Sequence, residues 1–444
     1  MRKVTKLLAA TLFLSCISAE AMNLKIKIAN KETKGNVFVF VDGQRKTIEI
    51  DENGNGSLEL LNFNPQYSRI QFGRNYKDLY LESDKDLTIS FVDPEFNETI
   101  SFEGANSAVN KWLSNTPSLT TEDNKLTEAE FIARVDALYN KAIADLNSQN
   151  LPATFVAMEK NRLYASLYGA LASYPGFHAY LIKDKGFKPS AAYLDKLSSV
   201  VKYDPSLLSM PEYKGFIETA VATLASKGNN SMDYADFVLA QLDYIDTHIA
   251  DQEIASMLVQ QMIEKYVSRN GLTHPAMGVA YKKYVKDTEK LQKFDTSCKQ
   301  WEALMPGNQS PDFKYKDMSG KEYTLADFKG KLVYIDIWAT WCGPCRSELP
   351  HLQKLEEAYH GKDVAFVSIS TDKDRAAWEK MVKEQNMGGY QLHNGGDRSL
   401  MNAYKVTGIP RFILIDKDGK IVSANMSRPS NPSTAQKFDE LLNK

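Results

Sequence analysis

The chain has 444 residues, with 54 Lys and Arg against 56 Asp and Glu, a near-neutral balance that excludes the basic footprint of a nucleic-acid binder. Four cysteines over this length also exclude a disulfide-stapled scaffold, and the length exceeds one small domain by about two more of ordinary size. Residues 1–21 open with Arg2, Lys3 and Lys6, run through the apolar stretch from Leu7 to Ile17, and close on Ala19-Glu20-Ala21. That is the three-part layout of a secretory signal peptide, too short to span a bilayer, with Ala21 as the last residue removed. A second reading makes Cys16 a lipid-anchored N-terminus, although Phe13-Leu14-Ser15 is a poor lipoprotein cleavage box. Only that lipidation would bring membrane contact. Cleavage would remove three cations and one anion and take the formal charge from −2 to −4.

From 22 to about 105, short runs alternate apolar and polar residues: Val37 to Val41, Lys46 to Ile50, Ser57 to Leu60 and Leu87 to Phe91. Asp42-Gly43 and Asn53-Gly54-Asn55-Gly56 supply turns between them, so a small antiparallel β-sandwich is expected. From 106 to about 300 the period changes to that of helices. Phe131, Val135, Leu138, Tyr139 and Leu146 share one face, as do Ile254, Met257, Leu258, Met262 and Ile263, and Thr127 with Glu130 forms a capping box. A helical domain follows from this, with a linker at 301–307 and a last domain at 308–444. Aromatic and methionine side chains such as Tyr164, Tyr168, Met257 and Met262 are read first as core, since an amphipathic helix must bury one face. Cys298, beside Phe294 and Trp301, is read as a buried or masked thiol.

The most informative element is Trp341-Cys342-Gly343-Pro344-Cys345. The preceding Lys331 to Ala339 is apolar and β-branched over a strand's length, so the cysteines stand at a strand-to-helix junction, the context of a redox pair. A pair with this spacing can also be half of a zinc site. Cys16 and Cys298 supply no second pair and no His-x-x-x-His element follows, so neither a metal nor a cofactor is expected. At a helix N-terminus the unpaired amides and the dipole stabilise a thiolate, and Pro344 suits a first turn. Cys342 is therefore read as the exposed nucleophile and Cys345 as the resolving thiol. Asp336, in the apolar strand, would be costly as a buried carboxylate unless it has a task. Glu348 follows Cys345 by three and shares its helical face.

Around these residues the chain resembles the thioredoxin superfamily, and more closely its TlpA-like and ResA-like envelope thiol-disulfide oxidoreductases. Four signals carry the resemblance from Gln309 to about Val422. Ser310-Pro311-Asp312-Phe313, with the segments at 317–322 and 325–331, resembles the opening hairpin of AhpC/TSA-type redoxins. The Trp-Cys-Gly-Pro-Cys site is the second. Val406-Thr407-Gly408-Ile409-Pro410 before Arg411 to Ile415 is similar to the family's cis-proline loop, and Asp416-Lys417-Asp418-Gly419 reads as the hairpin turn beyond it. The resemblance implies an α/β thioredoxin fold at the C-terminus of a multidomain chain, behind a small all-β domain and an α-helical domain. It implies that Asp336 accepts the proton of Cys345, that Glu348 is a functional acid in the ResA-like branch, and that Ile409 and Pro410, with Trp341, Gly343 and Pro344, form the substrate-binding surface. Arg411 stands where many thioredoxins have threonine, and either steers acidic partners or points to solvent.

The function implied is an exported thiol-disulfide oxidoreductase that reduces or exchanges disulfides in envelope proteins. A membrane thiol-electron transporter is the implied donor. Gly-Pro between the cysteines resembles reducing thioredoxins, near about −270 mV, more than strong periplasmic oxidants near about −120 mV. Two alternatives stand. One is a thiol peroxidase, against which Thr340 lies two rather than three before Cys342, with no proline between Gly330 and Cys342. The other is an envelope binding protein with an accessory redox domain.

Overall fold

The computed structural model describes residues 21–32, 35–184, 186–229 and 232–443, so all of the expected leader except Ala21, Cys16 included, lies outside the described residues. The chain forms two compact units. One holds the chain to Leu119 together with Asp136–Leu163, and the other holds Thr120–Val135 with Tyr164 onward.

In the first unit, β1 (Ala21–Ala29), β2 (Val37–Val41), β3 (Gln44–Ile48), β4 (Asn55–Leu61), β5 (Gln66–Phe72), β6 (Asn75–Leu81), β7 (Leu87–Val92) and β8 (Ser101–Glu103) make two four-stranded sheets, ordered β4-β1-β7-β8 and β3-β2-β5-β6. Alternation drives the fold: β1 buries Met22, Leu24, Ile26 and Ile28 and turns Lys25 and Lys27 outward. These side chains meet Val37, Val39, Ile70 and Phe72 of the other sheet in one core. Asp42 and Gly43 both have positive φ, which a two-residue hairpin between β2 and β3 requires. The expectation of a purely antiparallel sandwich is corrected, because β1 and β7 pair in parallel. Four strands lie between them in the chain on the second sheet, and that long crossover lets β7 return in the direction of β1.

Helices α1 (Phe96–Thr99), α2 (Ser107–Asn115), α3 (Glu128–Ser148) and α4 (Ala153–Leu181) follow. The Thr127 and Glu130 capping box opens α3, with Thr127 N donating to the Glu130 carboxylate at 3.0 Å. Val109 of α2, Ala142 and Leu146 of α3, and Phe155 and Leu163 of α4 pack on Tyr80 of β6. Within this layer the fully buried Glu159 accepts from Tyr67 Oη at 2.7 Å, Trp112 Nε1 at 3.0 Å and the Arg162 guanidinium at 2.6 and 2.7 Å, so a buried charge is paired on every side.

In the second unit, α5 (Ala191–Val200), α6 (Pro211–Ser226), α7 (Tyr234–His248), α8 (Gln252–Asn270), α9 (Pro275–Tyr284) and α10 (Thr288–Gln300) precede an α/β fold. Ser190, Asp233, Asp251 and Asp287 each cap the helix that follows with a side-chain oxygen. Strands β9 (Lys314–Lys316), β10 (Glu322–Thr324), β11 (Leu332–Trp338), β12 (Val364–Ser370), β13 (Tyr390–His393), β14 (Arg411–Ile415) and β15 (Ile421–Met426) form one sheet ordered β10-β9-β13-β12-β11-β14-β15. Helices α11 (Gly343–Ala358), α12 (Arg375–Glu384), α13 (Ser399–Ala403) and α14 (Pro432–Leu442) accompany it. This is a thioredoxin fold, and β11 sits at its centre, parallel to β12 and antiparallel to β14. Among the described residues no helix is long and apolar enough to cross a membrane.

The segment expected as a linker at 301–307 is corrected by its packing. Trp301 and Leu304 are buried in the same core as Phe313, Val333, Ile335 and Ile413. Short length and a preceding helix made this stretch look like a connection, while its two large apolar residues belong to the sheet's outer face. Leu304→Ala in the full chain should therefore destabilise the thioredoxin fold by about 2–5 kcal/mol, read by denaturant unfolding. A change under about 0.5 kcal/mol would mark the segment as a connector.

Candidate functional site

All seven residues of β11 are buried, which explains why Leu332–Trp338 reads as a continuous apolar run without alternation. Val333, Ile335 and Ile337 point into the core shared with Trp301. The opposite face carries Tyr334, packed with Leu352 and Leu355 of α11 and with Phe412. Asp336 lies two positions on from Tyr334 and so projects from that same face, toward the helix that carries the cysteines. It is 4% exposed, and its Oδ1 has no hydrogen-bond partner among the described residues. Burial, then the Glu348 and Glu356 carboxylates, raise its pKa to about 8.

Beyond Trp338 the chain turns into α11 through Ala339 to Trp341. A buried carboxylate that the sequence reading missed fixes this turn: Asp372 accepts from Thr340 N at 2.9 Å, Thr340 Oγ1 at 2.7 Å and Ser370 Oγ at 2.8 Å. The available signal was a Ser-Thr-Asp run after β12, at the carboxyl end of a strand neighbouring the site. Cys342 is the N-cap of α11, and its Sγ accepts from Cys345 N at 3.2 Å, so a backbone donor that the helix leaves free already points at this sulfur. Gly343 and Pro344 make the first turn, where the missing N–H of Pro344 costs no helical bond.

Cys342 and Cys345 are joined in a disulfide. The reading of Cys342 as an exposed residue is corrected: it is 5% exposed and Cys345 is 3% exposed. Both pack with Trp338, Ala339, Trp378 and Val382, while Trp341 takes the exposed position at 72%. Ile409 packs against the same cluster, and the Ile409–Pro410 peptide bond is cis. The structure thus brings Trp341, Cys342, Gly343, Pro344, Cys345, Ile409 and Pro410 to one locality, with Asp336 behind it.

Glu348 is not a solvated helix residue. It is buried and accepts from Ser430 N and Ser430 Oγ, each at 3.0 Å, with the Arg428 guanidinium at 3.7 Å. The two acids differ in their partners: Glu348 accepts two hydrogen bonds from Ser430, whereas one oxygen of Asp336 has no partner among the described residues. Glu356, missed in the sequence, is half-buried on α11 and raised to about 7 by burial. Both expectations for Arg411 are corrected as well, since it is buried and donates to the Ala424 carbonyl at 3.2 Å. Burial and the neighbouring Arg269 lower its pKa to about 10. Cys298 is half-buried on α10, with its thiol pushed up by burial and then by Asp295. Among the described residues no group of three or more His, Cys, Asp and Glu is disposed to hold a metal ion.

The Redoxin family model matches residues 305–442. The thiol-disulfide oxidoreductase ResA of Bacillus thuringiensis subsp. konkukian is 32% identical over 144 residues, covering 32% of this chain and 80% of that protein. ResA of Bacillus subtilis is 30% identical over 121 residues, covering 27% of this chain and 67% of its own length. Among solved structures, the thioredoxin domain of a thiol-disulfide oxidoreductase from Bacteroides vulgatus is 30% identical over 32% of this chain and 99% of that one, with a TM-score of 0.30.

The environment of Asp336 yields a pH-dependent prediction. Its folded-state pKa lies above the unfolded value of 3.8, so the folded chain keeps the proton after the unfolded chain has released it. Stability from this group is full below about pH 4 and is lost as the pH rises to about 8. Asp336→Asn should therefore match the wild type below about pH 4 and exceed it increasingly up to about pH 8, by as much as several kcal/mol. The same variant should slow disulfide exchange by about 10²-fold or more near neutral pH. A stability difference independent of pH would show that Asp336 ionises normally. An unchanged rate, with the rate lost in Glu348→Gln, would move proton handling to Glu348.

Proposed function

We propose, from the premise that this chain belongs to the TlpA/ResA-like thiol-disulfide oxidoreductases of the thioredoxin superfamily, that it is exported and reduces or exchanges disulfides in proteins of the cell envelope. Oxidoreductase activity follows from the family. Export, the envelope substrates and a membrane thiol-electron transporter as donor are the proposal, supported by the leader-like residues 1–21. The observation that carries the catalytic assignment is the Cys342–Cys345 disulfide at the N-terminus of α11, on the helix that Asp336 faces.

In the reducing direction the Cys342 thiolate attacks one sulfur of the substrate disulfide. A mixed disulfide forms and the substrate's other sulfur leaves as a thiolate, which takes up a proton. Cys345 then gives its proton to Asp336 and attacks Cys342 Sγ, closing the enzyme's disulfide and expelling the second substrate thiolate. Two electrons pass from the dithiol to the substrate. On recharging, the donor thiolate attacks Cys342 Sγ, and Cys345 leaves and takes the proton held by Asp336. The donor's second thiolate then attacks the donor sulfur of the mixed disulfide, releasing the Cys342 thiolate and leaving the donor as a disulfide. A carboxyl with a pKa raised to about 8 suits the return of the proton at neutral pH, while acceptance of the Cys345 proton proceeds through its ionised fraction, which grows as the pH approaches about 8. Ile409, just before the cis proline, offers backbone pairing to the substrate chain.

Cys345→Ser should accumulate mixed disulfides with envelope proteins through Cys342, and Cys342→Ser should abolish both trapping and turnover. Trapped partners would be released by reductant and identified by mass. Equal capture by the Cys342→Ser variant, or peroxide consumption without a disulfide substrate, would contradict the assignment.

A further inference from the structure

A cleft of about 760 Å³ opens at Pro410, the residue after the one packed on the disulfide cluster. One wall is the thioredoxin fold, with Pro410, Asn425 and Arg428. The other comes from the helices of the same unit: the end of α4 with Tyr180, the start of α7 with Phe237, and the end of α8 with Arg269. The walls are tied where Asn425 Nδ2 donates to Asn270 Oδ1 at 2.9 Å. Tyr180 is 79% exposed, a large ring offered to solvent at the rim.

The charges lining the cleft are Arg269, Arg428 and Asp233. Asp233 is committed to capping α7, its Oδ1 accepting from Ala235 N at 2.8 Å. Arg428 lies 3.7 Å from Glu348, and its side chain remains 51% exposed. Arg269 is exposed and makes no ion pair among the described residues, and it acts on the buried Arg411 behind the cleft wall. Two outward-facing guanidiniums and one buried one therefore stand against two carboxylates, Asp233 and the buried Glu348 behind Arg428, both already engaged. Such a field attracts an anion, and guanidiniums pair well with carboxylates.

We propose that this cleft seats the segment of a disulfide-bearing polypeptide next to its attacked cysteine, and that Arg269 and Arg428 select segments carrying carboxylate side chains. The inference rests on the disulfide-exchange reading above and names the substrate class for that site. The wall supplied by the helices gives the segment a second surface beyond the backbone pairing at Ile409. A larger, two-walled contact raises specificity for polypeptides without altering the chemistry at Cys342.

The test uses the full chain in its reduced form and two synthetic peptides with one disulfide each. The peptides are identical except that Asp and Glu beside one cysteine are replaced by Asn and Gln. Single-turnover oxidation of the chain is measured with each, and each rate is divided by that peptide's rate of reduction by dithiothreitol. At low ionic strength the acidic peptide should react about fivefold faster, a preference that added salt removes. Arg269→Ala should bring the ratio near one, and Arg269→Glu should invert it. A ratio near one in the wild type overturns the proposal, as does a ratio that survives both substitutions. Oxidation by a small neutral disulfide but by neither peptide overturns it too, while leaving the exchange chemistry intact. Failure of the reduced wild type to be oxidised even by the small neutral disulfide would instead strike the function on which it rests.

Discussion

A carboxyl group on the central strand of the sheet, sealed from water and short of a hydrogen-bond donor, is the constraint around which the redox site is arranged. Ionising Asp336 where it stands is costly, because an apolar interior cannot replace the lost hydration and Glu348 and Glu356 add repulsion. It therefore holds a proton at pH values where an ordinary aspartate has none. The neighbouring cysteines have the opposite support. Cys342 caps α11, where free backbone amides favour a sulfur anion, and Cys345 lies one turn along, on the helix that Asp336 faces. A proton store and an anion site have been placed on adjoining elements.

The surrounding residues keep that arrangement still. Asp372 ties the turn before Cys342 to the end of β12, and Ser430 holds Glu348 in a carboxylate's hydrogen bonds. Trp338 and Trp378 pack on the sulfurs, leaving Trp341 exposed beside the Ile409–Pro410 loop, the surface proposed to meet a substrate. Where that surface meets the end of α8, the arginine-lined cleft begins. On the proposed reading, chemistry and selection occupy different residues, with selection on the helices and the reaction on the strand and α11.

Much of this was legible in the sequence wherever a local pattern sufficed. The unbroken apolar run at 332–338 gave a central strand, Pro344 after a cysteine gave a helix start, and the capping box at Thr127 and Glu130 opened α3. Asp336 was conspicuous because a carboxylate in such a run needs a reason. What escaped were properties set by residues distant in sequence. Arg411 reads as a surface cation until Ala424 supplies a carbonyl across the hairpin, and Trp301 reads as a linker residue until the sheet's outer face closes over it. Glu356 had no motif around it and Asp372 only a short Ser-Thr-Asp run, and their placement arises only when β12 and α11 fold against the site. The parallel pairing of β1 with β7 follows from a crossover that no alternation pattern encodes.

The most direct test of the central claim is the infrared carboxylic-acid band of Asp336 in the oxidised chain, assigned by difference against Asp336→Asn and followed from pH 5 to pH 9. The account predicts a protonated carboxyl that persists through neutrality and titrates near about pH 8. Loss of the band by about pH 5 would show an ordinary aspartate and would contradict the proton-store role at the centre of the mechanism.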